Sequence, residues 1–484
     1  MGIPYYFYYL TIKYDNIIIK ELPKSIDIYA IDFNGIIHPE AAKETNEEKL
    51  IKNLWDKIEN YKSIYNPTKL IICIDGVAPL AKINQQRKRR YLNFYRNKID
   101  KVKSLWDTNA ISPGTKFMQK LDDYITKNNS NYIFSGSNDE GEGEHKIFKL
   151  IETETDNQTI VINGLDADLI ILSLISGKNN IYLMRENKGT ITYLNINNLK
   201  QALVSELKLK WNIKNDKDLI ESYCVMCSIL GNDFIPHILN LNIKTGGLDR
   251  LIDITEQAIK NNGPLVENDK INQQTLVEIF TKIAETEDND IITIVNKEIE
   301  RRPRDFSLAS QEYGIKNKDN TLFDIYNNSK KWRYYYYKNL FDININNDST
   351  SIVSYNFIKG IYWTYNYYKK FDLDYTWYYP YTYPPTAKDI SNYLKANVVK
   401  EIESNGNYLS PKCQLLLILP IYSIDLIEDD CKKYMTDISA GMKHLYPKEY
   451  KIQTLFKTHL WECCPILPII NIDKITKTNN FTIL

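Results

Sequence analysis

No apolar run in this 484-residue sequence reaches the ~18 residues that cross a bilayer. The longest, LLLILPIYSI at 415–424, is broken by Pro420, so no membrane partner is expected. Cysteine is sparse: seven residues, an odd number, scattered along the chain. Cys224 and Cys227 have a metal-like spacing, but no second pair matches it, and the stretch is apolar and helix-like. Two buried thiols are the simpler reading. Adjacent Cys463 and Cys464 cannot easily bridge each other, so a reducing, intracellular setting is expected. The start MGIPYYFYYL lacks a basic leader and a small-residue cleavage site. Tyr6 stands where a myristoylation motif wants Ser or Thr. Glycine is low, at 18 against 37 tyrosines, which excludes a low-complexity chain. Excess charge of either sign is absent too: 61 basic and 61 acidic side chains give a formal net charge of +0. That argues against a generic nucleic-acid coating protein. It leaves room for an enzyme whose acidic cluster and basic groove cancel in the sum.

What is present is alternation. Residues 26–33, 68–75, 131–136, 158–163 and 180–184 are short β-branched or aromatic runs that predict strands. Helical patterns cover 46–62, 79–103, 113–127, 141–152 and 166–175. This predicts an α/β fold: a mostly parallel twisted sheet flanked by helices, with a largely helical second region packed against it. Three regions are expected, 1–254, 255–352 and 353–484. Residues 255–330 read as polar and helical with little apolar payload, and 342–352 as a linker or exposed loop. In 332–339, WRYYYYKN reads mainly as packing of the second region, with an RNA channel as the alternative.

Acidic residues gather where such a sheet places its site, beyond the carboxyl ends of the strands. Asp32 closes the first predicted strand, Asp75 the second, and Asp166 and Asp168 follow the fourth. Glu142 and Glu144 are interleaved with glycines in GEGEH, and Asp233 sits between apolar flanks in LGNDFIP. Taken singly, each reads as a cap or a solvated charge. As a set of seven they predict a metal site. Mg²⁺ takes oxygen ligands from a few carboxylates plus water and phosphate, and two such ions can serve both the attacking and leaving oxygens of a phosphodiester. Two Mg²⁺ are therefore expected, with Mn²⁺ as a possible substitute.

A basic stretch runs from Lys82 to Lys103, with Asp100 as its one acid. Lys82, Gln86, Arg89 and Arg90 recur at helical spacing and share a face. Guanidinium forks and an ammonium suit a phosphate.

Together, MGIP, DFNGIIH (32–38), DGVAPLAKINQQRKRR (75–90), SPGTKFM (112–118), GEGEHKI (141–147), GLDADLI (164–170) and GNDFIPH (231–237) resemble the XRN family of 5′→3′ exoribonucleases. WYYPYTYPP (377–385), the QLLLILP stretch and YPKEYKI (446–452) extend the resemblance into the second half. The resemblance implies a PIN/flap-endonuclease-like nuclease core in 1–254, a helical connecting region and a second conserved region in 353–484, without the long C-terminal extensions of the large cytoplasmic homologues. It implies that the seven carboxylates are metal ligands and that Lys82, Gln86, Arg89 and Arg90 form a 5′-phosphate pocket. It further implies that His38 stacks on the terminal base opposite a tryptophan, for which Trp377 and Trp363 are candidates. Glu140 and Tyr8 depart from the family's proline and basic residue.

The expectation is a processive 5′→3′ exoribonuclease releasing nucleoside 5′-monophosphates from single-stranded RNA with a 5′ monophosphate, in RNA decay. The alternatives are a 5′ flap DNA endonuclease and a non-catalytic RNA-binding scaffold. A monomer is expected, in the cytoplasm rather than the nucleus, or in a host's cytoplasm if the source is viral. Protein partners are not legible. Of the other histidines, His145 is expected to orient a neighbouring glutamate, and His237, His444 and His459 to be core or surface.

Overall fold

The computed structural model describes residues 2–101, 106–129, 131–164, 166–187, 189–300, 320–370, 373–400, 402–404, 408–457, 459–472 and 475. Helix α1 (Tyr6–Lys13) leads into β1 (Ile18–Ile19) and β2 (Ile28–Asp32). Then come α2 (Asn34–Ala41), α3 (Glu47–Tyr65), β3 (Lys69–Cys73), the long basic helix α4 (Leu80–Ile99), α5 (Lys116–Asn128) and β4 (Ile133–Ser135). The sheet is completed by β5 (Thr159–Asn163), β6 (Asn180–Asn187) and β7 (Thr190–Asn195), with α6 (Gly143–Ile151) and α7 (Asp168–Ile175) between them.

The strand order is β1-β7-β6-β5-β2-β3-β4. β4, β3, β2, β5 and β6 run parallel, while β7 is antiparallel to both β6 and β1. Side chains alternate across the pleat, and both faces are covered. On β2, Ile28 and Ala30 enter one core with Ile71, Cys73, Ile160 and Ile162. Tyr29 and Ile31 enter the opposite core, against Leu50, Leu54 and Ile58 of α3. Connections from β2 run to β3 and β4 on one side, and the chain then returns to β5 on the other. The order therefore switches at β2, and a crevice opens at the carboxyl ends of β2 and β5.

The chain continues through α8 (Ile196–Trp211), α9 (Asp216–Ser228), α10 (Gly247–Asn262) and α11 (Gln273–Glu300). After the segment 301–319, which lies outside the described residues, come α12 (Asn320–Asn327), α13 (Trp332–Phe341), α14 (Asn347–Lys369), α15 (Ala387–Ala396) and α16 (Pro411–Ile418). Two expectations are corrected here. Residues 347–352 are the start of α14, not a loop: the Asn346 side chain accepts from Ser349 N at 2.7 Å and forms a capping box. And α11 carries an apolar payload, with Leu276, Ile279, Phe280 and Ile283 in the main core. In α13, Trp332, Tyr336 and Tyr337 are buried in their own cluster, as packing demands. All seven cysteines are free thiols. Among the described residues, no helix is long and apolar enough to cross a membrane.

Candidate active site

Each strand end delivers its acid for a local reason. Asp32 is the last residue of β2. Beyond β3, Asp75 is fixed by Asn34, whose side chain donates to Asp75 Oδ2 at 2.8 Å and accepts from Asp75 N at 3.1 Å. Gly143 N donates to Asp75 Oδ1 at 2.8 Å. Of the glycines of GEGEH, Gly143 is explained by this crowding, since a Cβ there would lie 2.6 Å from Asp32 Oδ1, and Gly141 by its positive φ of 95°. Glu142 stands at the N-cap of α6 and Glu144 in its first turn, yet the Glu142 side chain makes no capping hydrogen bond. Asp168 opens α7 behind Ala167, which makes no side-chain cap either. Glu142 therefore does not cap its helix through its side chain, while Glu144 and Asp168 stand in first turns, where the helix dipole favours a negative charge.

Glu142, Asp233 and Asp168 meet around residues from distant parts of the chain. Lys82 Nζ lies 2.5 Å from Glu142 Oε2 and 2.9 Å from Asp233 Oδ2. Gly2 N donates to Asp233 Oδ1 at 3.0 Å, and Gln85 Nε2 to Asp233 Oδ2 at 3.3 Å. Tyr367 OH donates to Glu142 Oε1 at 2.6 Å, and Tyr368 OH to Asp168 Oδ1 at 2.7 Å. His145 stacks on Tyr367 and its Nε2 is 2.7 Å from Tyr367 O, so it bears on Glu142 through that ring. Asp32 Oδ1 and Glu144 Oε2 are buried with no hydrogen-bond partner. Asp166 is exposed, yet its charge reaches both Asp32 and Glu144.

The electrostatics follow from burying like charges. Burial, then Asp75, pushes Asp32 well above the usual carboxylate range. Burial, then Asp168, does the same to Glu144. Asp168 is pushed up to about 7 by burial and Asp233. Burial also raises Asp233, but Lys82 outweighs it and holds the carboxyl well below the usual range. A carboxyl raised in the folded state binds its proton more tightly there than in the unfolded chain. Its stabilising contribution is complete below the ordinary carboxylate range and is lost as pH rises through the folded value. Calorimetry of the protein in EDTA should therefore give a Tm several degrees lower at about pH 8 than at about pH 5.5. Asp233 has the opposite sign, but its window lies at lower pH. His38, His145 and His237, lowered to about 4 by burial, gain stability within the interval, so the expected fall is what the raised carboxyls leave after these three. A Tm that rises across that interval would remove this account of the acids.

Arg89 is exposed, and Arg90 is docked, its Nη1 donating to Ser112 Oγ at 2.7 Å. Gln86 Oε1 is buried and unpaired. His38 lies at the surface within electrostatic reach of Arg89, Arg90 and Asp75; desolvation on its protein-facing side, then Arg89, lowers it to about 4. Lys82 does not join this group, because two acids engage its ammonium. Arg87 is buried and donates to Pro468 O at 2.7 Å, tying α4 to the C-terminal region.

Both tryptophan candidates lie in the core. Trp377 is 6% exposed and packs on Trp363 at 5.2 Å between ring centroids, with Gly360 against its edge. Trp363 is 0% exposed and its Nε1 donates to Asp374 O at 2.9 Å. Tyr367 and Tyr368 went unread in the sequence. The one available signal was two adjacent tyrosines at a helix end before Lys369 and Lys370.

The donor set is hard oxygen, and two of its buried oxygens lack partners, which fits Mg²⁺. Among the described residues, however, no three of His, Cys, Asp and Glu are drawn together as a metal cage; Lys82 supplies counter-charge within the acids instead.

The family model described as XRN 5′-3′ exonuclease N-terminus matches residues 1–187, and the one described as Xrn1 helical domain matches 213–330 and 316–481. The 5′-3′ exoribonuclease 2 of Gallus gallus is 24% identical over 97% of this chain and 69% of its own length. The 5′-3′ exoribonuclease 1 of Homo sapiens is 26% identical over 97% of this chain and 33% of its own length. The chain thus spans about two thirds of one relative and one third of the other. Among solved structures, the catalytic core of Rad2 in complex with DNA substrate matches at 13% identity, covering 83% of this chain and 93% of that one. Its TM-score of 0.31 is too low to carry weight.

Proposed function

The chain belongs to the XRN family of 5′-3′ exonucleases, and from that premise we propose that it is an exoribonuclease degrading single-stranded RNA from a 5′-monophosphate end. The observation that carries this reading is the juxtaposition of buried, partly unpaired acids with an exposed arginine on the neighbouring helix.

Asp32, Asp75, Glu142, Glu144, Asp166, Asp168 and Asp233 would hold divalent ions, for which Mg²⁺ is the fitting choice. When bound, such ions supply a nucleophile at neutral pH and offset charge on the phosphodiester oxygens. The rest falls to the chain. Arg89 and Arg90 grip the terminal phosphate through charge-assisted hydrogen bonds, with Gln86 beside them. His38, neutral at pH 7, offers its ring to the first base, and stacking of that kind accepts any base. Tyr367 and Tyr368 hold Glu142 and Asp168 in position. Water adds across the P–O3′ bond. The released nucleoside 5′-monophosphate keeps its 3′ hydroxyl, and the shortened strand gains the phosphate that can enter the same grip. That regeneration permits processive action.

The test compares 5′-phosphorylated RNA, 5′-hydroxyl RNA and a DNA flap. Phosphorylated RNA should be degraded fastest, and preference for the flap would defeat the reading. Arg89→Ala should cut the ratio of kcat/KM between phosphorylated and hydroxyl RNA by about 10- to 100-fold, the worth of a charge-assisted bond. An unchanged ratio would take Arg89 out of the pocket.

A further inference from the structure

We infer that a cavity beside the basic helix is a second nucleotide subsite, which holds a base and phosphate of the RNA strand away from its 5′ end. This rests on the exoribonuclease reading above. The cavity, about 340 Å³, opens between α4, the loop 232–236, the segment 378–382, Lys457 and residues 461–464. That volume suits one small ligand unit. Its α4 wall is formed by Ala81, Gln85, Lys88 and Leu92, a different face from the one carrying Gln86 and Arg90. Arg89 lies at the boundary of the two. The cavity is continuous with the acids through Asp233, which Gln85 touches at 3.3 Å.

The lining has the two elements that single-stranded nucleic acid needs, cations and aromatic faces. Lys88, Arg89 and Lys457 face Asp233 and Glu462, three cations against two acids. Among the described residues, Lys88 and Arg89 make no ion pair. Tyr378 and Tyr381 contribute half-buried rings, and Tyr378 is pinned by a donor bond from its hydroxyl to Ile470 O at 3.2 Å. Trp461 is 54% exposed, uncommon for so large an apolar ring, and is held near-parallel to His459, 8° between planes. At the rim, Lys244 sits 3.9 Å from Glu462 and lies over the ring of Tyr5 at 3.7 Å. A base lying on Trp461 with its phosphate at Lys88 and Lys457 would extend the grip past the scissile bond. Affinity would then grow with strand length.

The shared chemistry is a nucleotide, and its two sources are the strand itself and the released monophosphate. Binding of a fluorescent 5′-phosphorylated 12-nucleotide RNA is measured by anisotropy in EDTA, alongside inhibition of degradation by AMP. Trp461→Ala should weaken RNA binding by about 5- to 100-fold, with most of it recovered in Trp461→Phe. Lys88→Gln should weaken it too and flatten its salt dependence, which keeps the inference testable if the tryptophan variants fold poorly. RNA affinity equal to the parent's in Trp461→Ala and Lys88→Gln would overturn the subsite. So would a loss confined to AMP inhibition, since the cavity would then hold product. A parent protein that leaves phosphorylated RNA undegraded would instead sink the exoribonuclease reading, a separate outcome.

Discussion

Asp168→Asn is expected to lower kcat on 5′-phosphorylated RNA by about 1000-fold, the scale of losing one preorganised group at developing charge. At the same time the metal-free protein should melt no lower than the parent at about pH 8, and by the linkage argument higher. The two halves have one cause. Asp168 is 2% exposed, and its carboxyl is pushed up to about 7 by burial and by Asp233. Keeping it ionised at pH 8 costs folding free energy. Asparagine has nearly the same shape and still accepts the Tyr368 hydroxyl, now at 2.7 Å from Asp168 Oδ1. It removes the charge that repels Asp233 and, through the shared cluster, Glu144. A residue retained for packing would lose stability on this change and keep activity. A residue retained for chemistry at the expense of the fold does the reverse. Steady-state kinetics and a melt in EDTA decide between them. Activity within tenfold of the parent, or a Tm lowered by several degrees, would reassign Asp168 to structure.

The parallel sheet was legible because its strands are buried on both faces and read as unbroken apolar runs, while their helices switch to a 3.6-residue period. Asp32 and Asp75 were legible for the same reason: a charge closing such a run has no packing explanation. The antiparallel edge was not. β1 is two residues, Ile18 and Ile19, paired to Leu194 and Tyr193 across more than 170 positions, and nothing local announces that pairing. Tyrosine hid the rest. This sequence uses Tyr both as core filler and as buried donor, and one composition serves both roles. On α14, Tyr367 and Tyr368 reach acids 225 and 200 residues away, while Trp363, one turn earlier, packs on Phe234 and Trp377. Periodicity places all of them on buried faces without saying which hydroxyl meets a carboxylate. In the glycine-acid alternation at 141–144, close approach holds for Gly143, where the approaching group is Asp32, while Gly141 serves a positive φ.

Lys82 shows where a helical wheel stops. Spacing puts it on a face with Gln86 and near Arg89, but cannot say which charge its ammonium meets. Here it meets Glu142 and Asp233, and these outweigh the effect of burial to hold it well above an ordinary lysine. Lys82→Met keeps the aliphatic length and leaves both acids without their cation. Truncating one partner of a buried ion pair costs about 3–5 kcal/mol. The metal-free variant should lose that order of stability at about pH 8 and much less at about pH 5.5, because Glu142 and its neighbours can then take up protons. Mg²⁺ should restore more stability to the variant than to the parent, since a divalent ion supplies the missing positive charge. A lysine that served the terminal phosphate instead would leave the apo melting curve unmoved and raise KM for phosphorylated RNA alone. Melts at the two pH values, with and without Mg²⁺, separate the cases, and a stability loss equal at both pH values would count against the internal counter-ion.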